Sequence, residues 1–263
     1  MRLALTAAMM LAAVPAVAQD RTYCPARPGL GTTPCTIEPG RASLEVGLAS
    51  WERDSSADAR SDTVVLGDSF VRVGVTSDTE VSVAWTAYTH LQTRDRASGA
   101  IDRSQGVGDV TFALKHNLLH PGGDGFSMAL QPYITLPTGN AAAGAGDWAA
   151  GVVVPLSFDL GHGLSLGGTS EVAAAVDGDR HGRHLLASQI VGLGVAVNGQ
   201  VNVTGELEAL RDQDPAGHAT QTFAALSLAW APSKDLQLDV GAVAGLNAHS
   251  PDLQLYAGVS RRF

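Results

Sequence analysis

The stretch Leu236-Gln237-Leu238-Asp239-Val240-Gly241-Ala242-Val243-Ala244-Gly245-Leu246-Asn247 puts an apolar side chain at every even position and, Val243 apart, a polar or small one at every odd position. A period of two is the mark of an extended strand with one face in an apolar medium, because successive side chains point to opposite sides. Helical spacing does not account for it. The same alternation carries Leu253, Leu255, Ala257 and Val259, and again Val201, Val203, Gly205 and Leu207. Extending the reading backward predicts strands at 43–53, 63–76, 79–92, 108–119, 126–138, 147–159, 164–176, 184–197, 201–211, 219–231, 235–248 and 251–263, twelve in all.

The spacers alternate in character. Thr76-Ser77-Asp78, His120 to Asp124, Gly161-His162-Gly163, Asn198-Gly199 and Pro232-Ser233-Lys234 are tight and turn-like, with Asn-Gly the strongest hairpin signal among them. The other connections, 53–62, 94–106, 140–146, 177–183 and 211–218, are longer and mostly more charged, although the one near His249 is short. An even number of strands, short turns at one end with both termini, and long loops at the other describe an antiparallel transmembrane β-barrel with periplasmic turns and outer loops. A soluble sandwich would load its polar face with Lys and Glu. Here that face is mainly Gly, Ser, Thr, Asn and Gln with isolated charges, which suits an interior. The longest uncharged stretch, Leu185 to Gly205, is two strands around the Asn198-Gly199 turn rather than a membrane helix.

Ahead of the barrel, Arg2, the apolar run Leu3 to Val14 and Ala16-Val17-Ala18 compose an export signal, with cleavage expected between Ala18 and Gln19. Residues 19–42 follow as an irregular segment crowded with Pro25, Pro28, Pro34 and Pro39. Its Cys24 and Cys35 are the chain's two cysteines, and in an oxidising compartment they are expected to form one disulfide. Whether this segment enters the barrel or hangs free is open at this point. The barrel itself is placed at 43–263, in the outer membrane of a Gram-negative bacterium.

The 263 residues carry 17 Lys+Arg against 26 Asp+Glu, a net charge of -9 that repels a phosphate backbone and excludes nucleic acid as a natural partner. Eight histidines invite a search for catalysis, and His249-Ser250 suggests an outer-membrane lipid hydrolase as one alternative. No acid is placed to complete a triad, so no catalytic residue is assigned. His181, Arg183 and His184 do not compose a tetrahedral metal site, and neither metal nor cofactor is expected.

Strand parity assigns side chains to the lumen: Glu45, Arg72, Glu80, Tyr88, His90, Asp109, Lys115, Tyr133, Glu171, Glu206, Glu208, Asp239 and Arg262, with Phe70 beside them. Acids outnumber bases there by seven to three. Trp85, Phe112, Leu114, Val152, Val154, Leu238 and Val240 fall on the lipid face. Twelve strands at about 4.8 Å spacing and the usual tilt give a backbone radius of roughly 12 Å, which inward side chains narrow or close. Lys115 is expected to gate or orient a solute, with Asp109 as a neighbouring carboxylate partner if its role is structural instead.

Gly106-Val107-Gly108-Asp109-Val110, Lys115 on the same strand, and Leu136-Pro137-Thr138-Gly139 after the next resemble the outer-membrane proteins labelled as the meta-pathway of phenol degradation. The resemblance implies a barrel for passage of small hydrophobic or aromatic compounds, along a path lined by Phe70, Arg72, Glu80, Tyr88, Asp109, Lys115, Tyr133, Glu171, Glu206, Glu208 and Asp239. The terminal Phe263, closing an amphipathic strand, resembles the signal read by the bacterial barrel-assembly machinery, which would then be a partner together with outer-membrane lipid. The alternative to transport is a closed structural or adhesive barrel blocked by residues 19–42.

Overall fold

The computed structural model describes residues 21–140 and 143–263; the expected export signal lies outside them. The described chain is all-β: β1 (Ala42–Ser55), β2 (Ala59–Gly74), β3 (Thr79–Asp95), β4 (Ile101–Gly106), β5 (Val110–Leu119), β6 (Phe126–Leu136), β7 (Ala149–Gly161), β8 (Leu164–Val176), β9 (Arg183–Ala196), β10 (Val201–Asp212), β11 (Ala219–Ser233), β12 (Leu236–Gly245) and β13 (Leu253–Arg262). Each strand pairs antiparallel with its sequence neighbours, except that β5 pairs with β3 instead of β4, and β1 pairs with β13 from Ser43↔Arg262 to Arg53↔Leu253, which closes the barrel. Closure is what lipid demands, since an open edge would leave backbone N–H and C=O groups unpaired in hydrocarbon. The lipid face follows the alternation: Trp85, Phe112, Leu114, Val152, Leu238 and Val240 are exposed outward.

Twelve strands make the closed wall, and β4 is an addition inside what reads as the 94–106 loop. The chain reverses at Asp95, whose carboxylate accepts the Ser98 N–H, and Gly99 takes a left-handed φ of 72°. Ile101–Gly106 then pairs with the upper half of β3 while β5 pairs with the lower half. Ile101 is the one large apolar side chain in β4, so no apolar alternation announces the strand. β2 and β3, at 16 and 17 residues, exceed the roughly 9–11 that span a bilayer and carry this part of the wall past the membrane.

A second departure concerns which way side chains point. Leu48 is an extra residue in β1, so that Gly47 faces Gly258 while Ala49 faces Ala257, and Gly67 of β2 has a φ of 66°. Such irregularities exchange the two faces of a strand. Below them Glu45, Phe70 and Arg72 face inward. Above them Trp51, Val64, His90 and Gln105 form one row facing outward with Leu255. Tyr88 pairs with Leu66 in the next row and donates its hydroxyl to Gln105 Oε1 at 2.9 Å. Tyr88 and His90 therefore leave the expected lumen set, because parity counted from Glu80 does not survive the break.

Candidate functional site

Residues 21–41 enter the barrel from the end that holds the short turns, rise to an apex at Leu30 and return to β1. This segment is a plug. Most of its backbone donors lack secondary-structure partners, and buried N–H groups require acceptors. Wall carboxylates supply them. Glu45 Oε2 accepts from Ala26 N at 2.8 Å and Arg27 N at 3.1 Å; Glu206 accepts from Leu30 N at 2.8 Å and Gly31 N at 3.0 Å; Glu80 Oε2 accepts from Ile37 N at 2.8 Å. The acid surplus of the lumen face is thus answered by peptide N–H groups.

Arg72 organises the base of the plug. Its Nε and Nη2 donate to Glu80, its Nη1 donates to Glu45, and Nη1 and Nη2 also reach the carbonyls of Cys24 and Cys35, each at 2.9 Å. Cys24 and Cys35 are joined in a disulfide, as expected. Lys115 Nζ donates to the Thr33 carbonyl at 2.9 Å and lies 3.3 Å from Glu80 Oε1. Arg72, Lys115, Glu45 and Glu80 are all buried, and two cations against two anions balance the charge of the cluster. Nearby, burial first and the Glu45 carboxylate second hold the Tyr23 hydroxyl above the usual phenol range.

Three further contacts fix the plug. Arg27 Nη2 pairs with Asp239 at 2.9 Å, and its guanidinium lies 5.5 Å from the Tyr256 ring centroid. Arg262 Nη1 donates to Glu38 Oε1 at 2.7 Å and to the Arg21 carbonyl at 2.9 Å. Asn117 Nδ2 donates to the Pro34 carbonyl at 2.9 Å. Gln237 and the Pro121 carbonyl add single bonds, and Thr169 Oγ1 both accepts from Thr32 N and donates to the Thr32 carbonyl.

The plug leaves cavities on its two sides. Above it, about 300 Å³ is bounded by Arg27, Leu30, Val65, Asp68, Val243 and Tyr256. A neighbouring space of about 110 Å³ shares Leu30 and Val243 and reaches Glu52, Glu208 and Phe223. Toward the short turns, about 150 Å³ separates Thr32 and Thr33 from the glycines 167, 168, 192 and 194 of β8 and β9, and Pro25 links it to a mouth of about 480 Å³. Glu206, bonded to the apex, stands at the junction.

The expected path residues therefore divide by place. Glu206 and Glu208 border cavities. Arg72, Glu80, Lys115 and Asp239 face inward and are covered by the plug they bind; Phe70 sits on the same face beside Glu45 and Ala84. Tyr133 crosses Gly151, where a Cβ would strike its ring, and donates to Glu171 Oε1. Asp109 is not the partner of Lys115: it accepts from Gly139 N at 2.7 Å and Ala145 N at 2.8 Å, while Val110 N donates to Thr138 Oγ1. The two motifs thus meet, and Asp109 anchors the β6–β7 loop at the break between β4 and β5. Sequence reasoning missed Arg27, Leu30 and Tyr256. The signal for Tyr256 was its alternation with Leu255, but nothing local marks the plug residues that it meets.

The histidine and serine candidates have other occupations. Ser250 donates to the Thr222 carbonyl and accepts its N–H, tying the β12–β13 turn to β11. His184 sits 2.9 Å from both Asp177 and Asp212, whereas His181 turns to its own loop. Among the described residues no cluster of His, Cys, Asp and Glu could hold a metal. In that loop region Asp214 accepts from the Ala216 and Gly178 N–H groups, and the first of these above all holds it below the usual carboxylate range.

Comparison with known proteins supports a barrel of the outer-membrane type. An outer-membrane channel from Pseudomonas putida F1 superposes with a TM-score of 0.70 over 90% of this chain and 99% of that one, at 15% identity. The transport unit of the autotransporter AIDA-I from Escherichia coli gives 0.56 over 84% and 88% at 6% identity. The β domain of a Bordetella autotransporter, BrkA, gives 0.53 over 86% and 100% at 13% identity. At these identities the likeness is one of fold. No curated protein sequence matches the chain. A family model does match, across residues 26–263, which takes in most of the plug and the whole wall, and the chain belongs to that family, described as "Putative MetA-pathway of phenol degradation".

Proposed function

We propose that the chain is an outer-membrane channel of a Gram-negative bacterium for small hydrophobic or aromatic compounds, with the plug setting what passes. Family membership supports the substrate class. The observation that carries the reading is the division of the lumen into an upper cavity of about 300 Å³ and a lower set, separated at the apex by the bonds from Leu30 and Gly31 to Glu206. The upper cavity is near the lower end of the roughly 300–1,000 Å³ usual for small-molecule sites, and its lining is mixed: Leu30, Val65, Val243 and the Tyr256 ring supply apolar surface, while Arg27, Ser50, Asp68, Thr86 and Gln254 supply polar groups. A volume of this size has room for a single aromatic ring. The apex is the place where we expect opening, because the base of the plug is held separately by Arg72 and Lys115.

The test is entry of labelled phenol into vesicles whose outer leaflet is lipopolysaccharide, which slows passive entry. Wild-type protein should raise the rate above protein-free vesicles, Glu206→Leu should raise it further by several-fold, and Leu30→Trp should lower it. Equal rates with and without protein would leave a closed structural barrel as the answer.

A further inference from the structure

The outward face of β1 to β4 carries a second feature, which the channel reading does not use. Above the face exchange at Leu48 and Gly67, one row across four strands reads Arg53, Asp62, Gln92, Arg103, each paired with the next. The row beyond it places Arg60 directly opposite Arg94. Asp62 is the one carboxylate in these rows, and it is already shared: Arg53 Nε lies 3.2 Å from it and Arg60 Nε 2.9 Å. Arg103 Nε donates to the neutral Gln92 at 2.9 Å, and Arg94 makes no ion pair among the described residues. Like charges directly opposite each other on a sheet are destabilising. Asp54, Asp95 and Asp102, next along the chain to Arg53, Arg94 and Arg103, fall on the opposite face of their strands, so the outward face sets four guanidinium groups against one carboxylate and has room for an external anion.

Height on the barrel identifies that anion. On β13 the outward side chains run Arg261, Val259, Ala257, Leu255, Leu253 from the short-turn end upward, and Leu253 pairs with Arg53. The row beneath the arginines reads His90 and Gln105 on β3 and β4, whereas on β1 and β2 the arginine rows begin at the upper limit of an apolar band made by Trp51, Val64 and Leu66. Acyl chains would lie against those three residues and a headgroup against the arginines. Guanidinium forks match phosphate oxygens bidentately.

We propose that Arg53, Arg60, Arg94 and Arg103 form a binding site for the phosphorylated headgroup of an outer-leaflet saccharolipid. The site rests on the outer-membrane placement given above but not on passage of any solute. The long β2–β3–β4 wall then has a purpose: it raises the arginines to headgroup level.

The experiment uses the full mature chain in phosphatidylcholine nanodiscs doped with diphosphoryl lipid A, and counts the lipid A retained after release into detergent by native mass spectrometry. Wild-type protein should retain at least tenfold more diphosphoryl lipid A than the dephosphorylated form, and Arg94→Gln with Arg103→Gln should abolish that preference. Arg261→Gln, at the opposite rim, should leave it unchanged. Equal retention of the two lipids by the wild-type protein overturns the proposal without reliance on any variant. Full retention by a double variant that still shows heat-modifiable gel mobility overturns the assignment to these arginines. Displacement of the lipid by millimolar inorganic phosphate would show a free-anion site and overturn the assignment to a lipid. Phenol entry enters none of these readouts, so the channel reading can fail while the lipid site stands.

Discussion

Lys115 Nζ lies 3.3 Å from Glu80 Oε1, and both side chains are buried beneath the plug. The lysine belongs to the scaffold that holds residues 33–37 rather than to the walls of the upper cavity. Lys115→Met should therefore lower barrel stability by roughly 3 kcal/mol, the low end for breaking a buried ion pair, because Arg72 remains on Glu80. Urea-dependent loss of heat-modifiable mobility reads this, and a variant as stable as wild type would remove the scaffold role.

Arg72 is expected to have the larger effect on the plug. Arg72→Met removes donors from the Cys24 and Cys35 carbonyls and leaves Glu45 and Glu80 short of a cation. Hydrogen exchange of the Ala26, Arg27 and Ile37 amides should accelerate by more than tenfold, whereas strand amides of β8 and β9 should hold.

The disulfide acts on the same segment from within. Cys24→Ser with Cys35→Ser lifts a constraint on a short loop, which is expected to cost about 3 kcal/mol by the chain-entropy estimate. The Glu206 bonds to Leu30 and Gly31 stay in place, so phenol entry should rise less than in Glu206→Leu. A larger rise than in Glu206→Leu would move the gate from the apex to the base.

Asp109 has a separate task. Asp109→Ala takes the acceptor from Gly139 N and Ala145 N, so the β6–β7 loop should loosen while the Lys115–Glu80 pair is untouched. Proteolysis confined to residues 137–148, with unchanged plug protection, is the expected result. Loss of plug protection would mean that the loop and the plug are coupled.

Gly151 tests packing in the lumen. Gly151→Val places side-chain atoms where the Tyr133 ring crosses to Glu171. Overpacking of this kind costs roughly 1–3 kcal/mol. The urea midpoint should fall accordingly, and Tyr133→Ala in the same background should restore part of it by vacating the space.

How much could be read in advance follows the physics of each part. Alternation along Leu236–Asn247 and its counterparts is imposed by lipid on one side of a one-residue-thick wall, so a local pattern carries the strands, their antiparallel order and the outward placement of Trp85 and Val240. Closure then follows, because hydrocarbon tolerates no open edge. Inward placement of Arg72, Glu80, Lys115 and Glu206 comes from the same parity. Tyr88 and His90 escape it because one extra residue at Leu48 and a left-handed Gly67 exchange the faces, and no composition signal marks either. β4 escapes it because Ile101 is its one large apolar side chain. The plug depended wholly on tertiary structure. Its amides at 26, 30 and 37 find acceptors at 45, 206 and 80, and its Arg27 finds Asp239. Those partners are neighbours only once the barrel has closed around the segment, since hydrogen bonding acts across space and leaves no period in the chain.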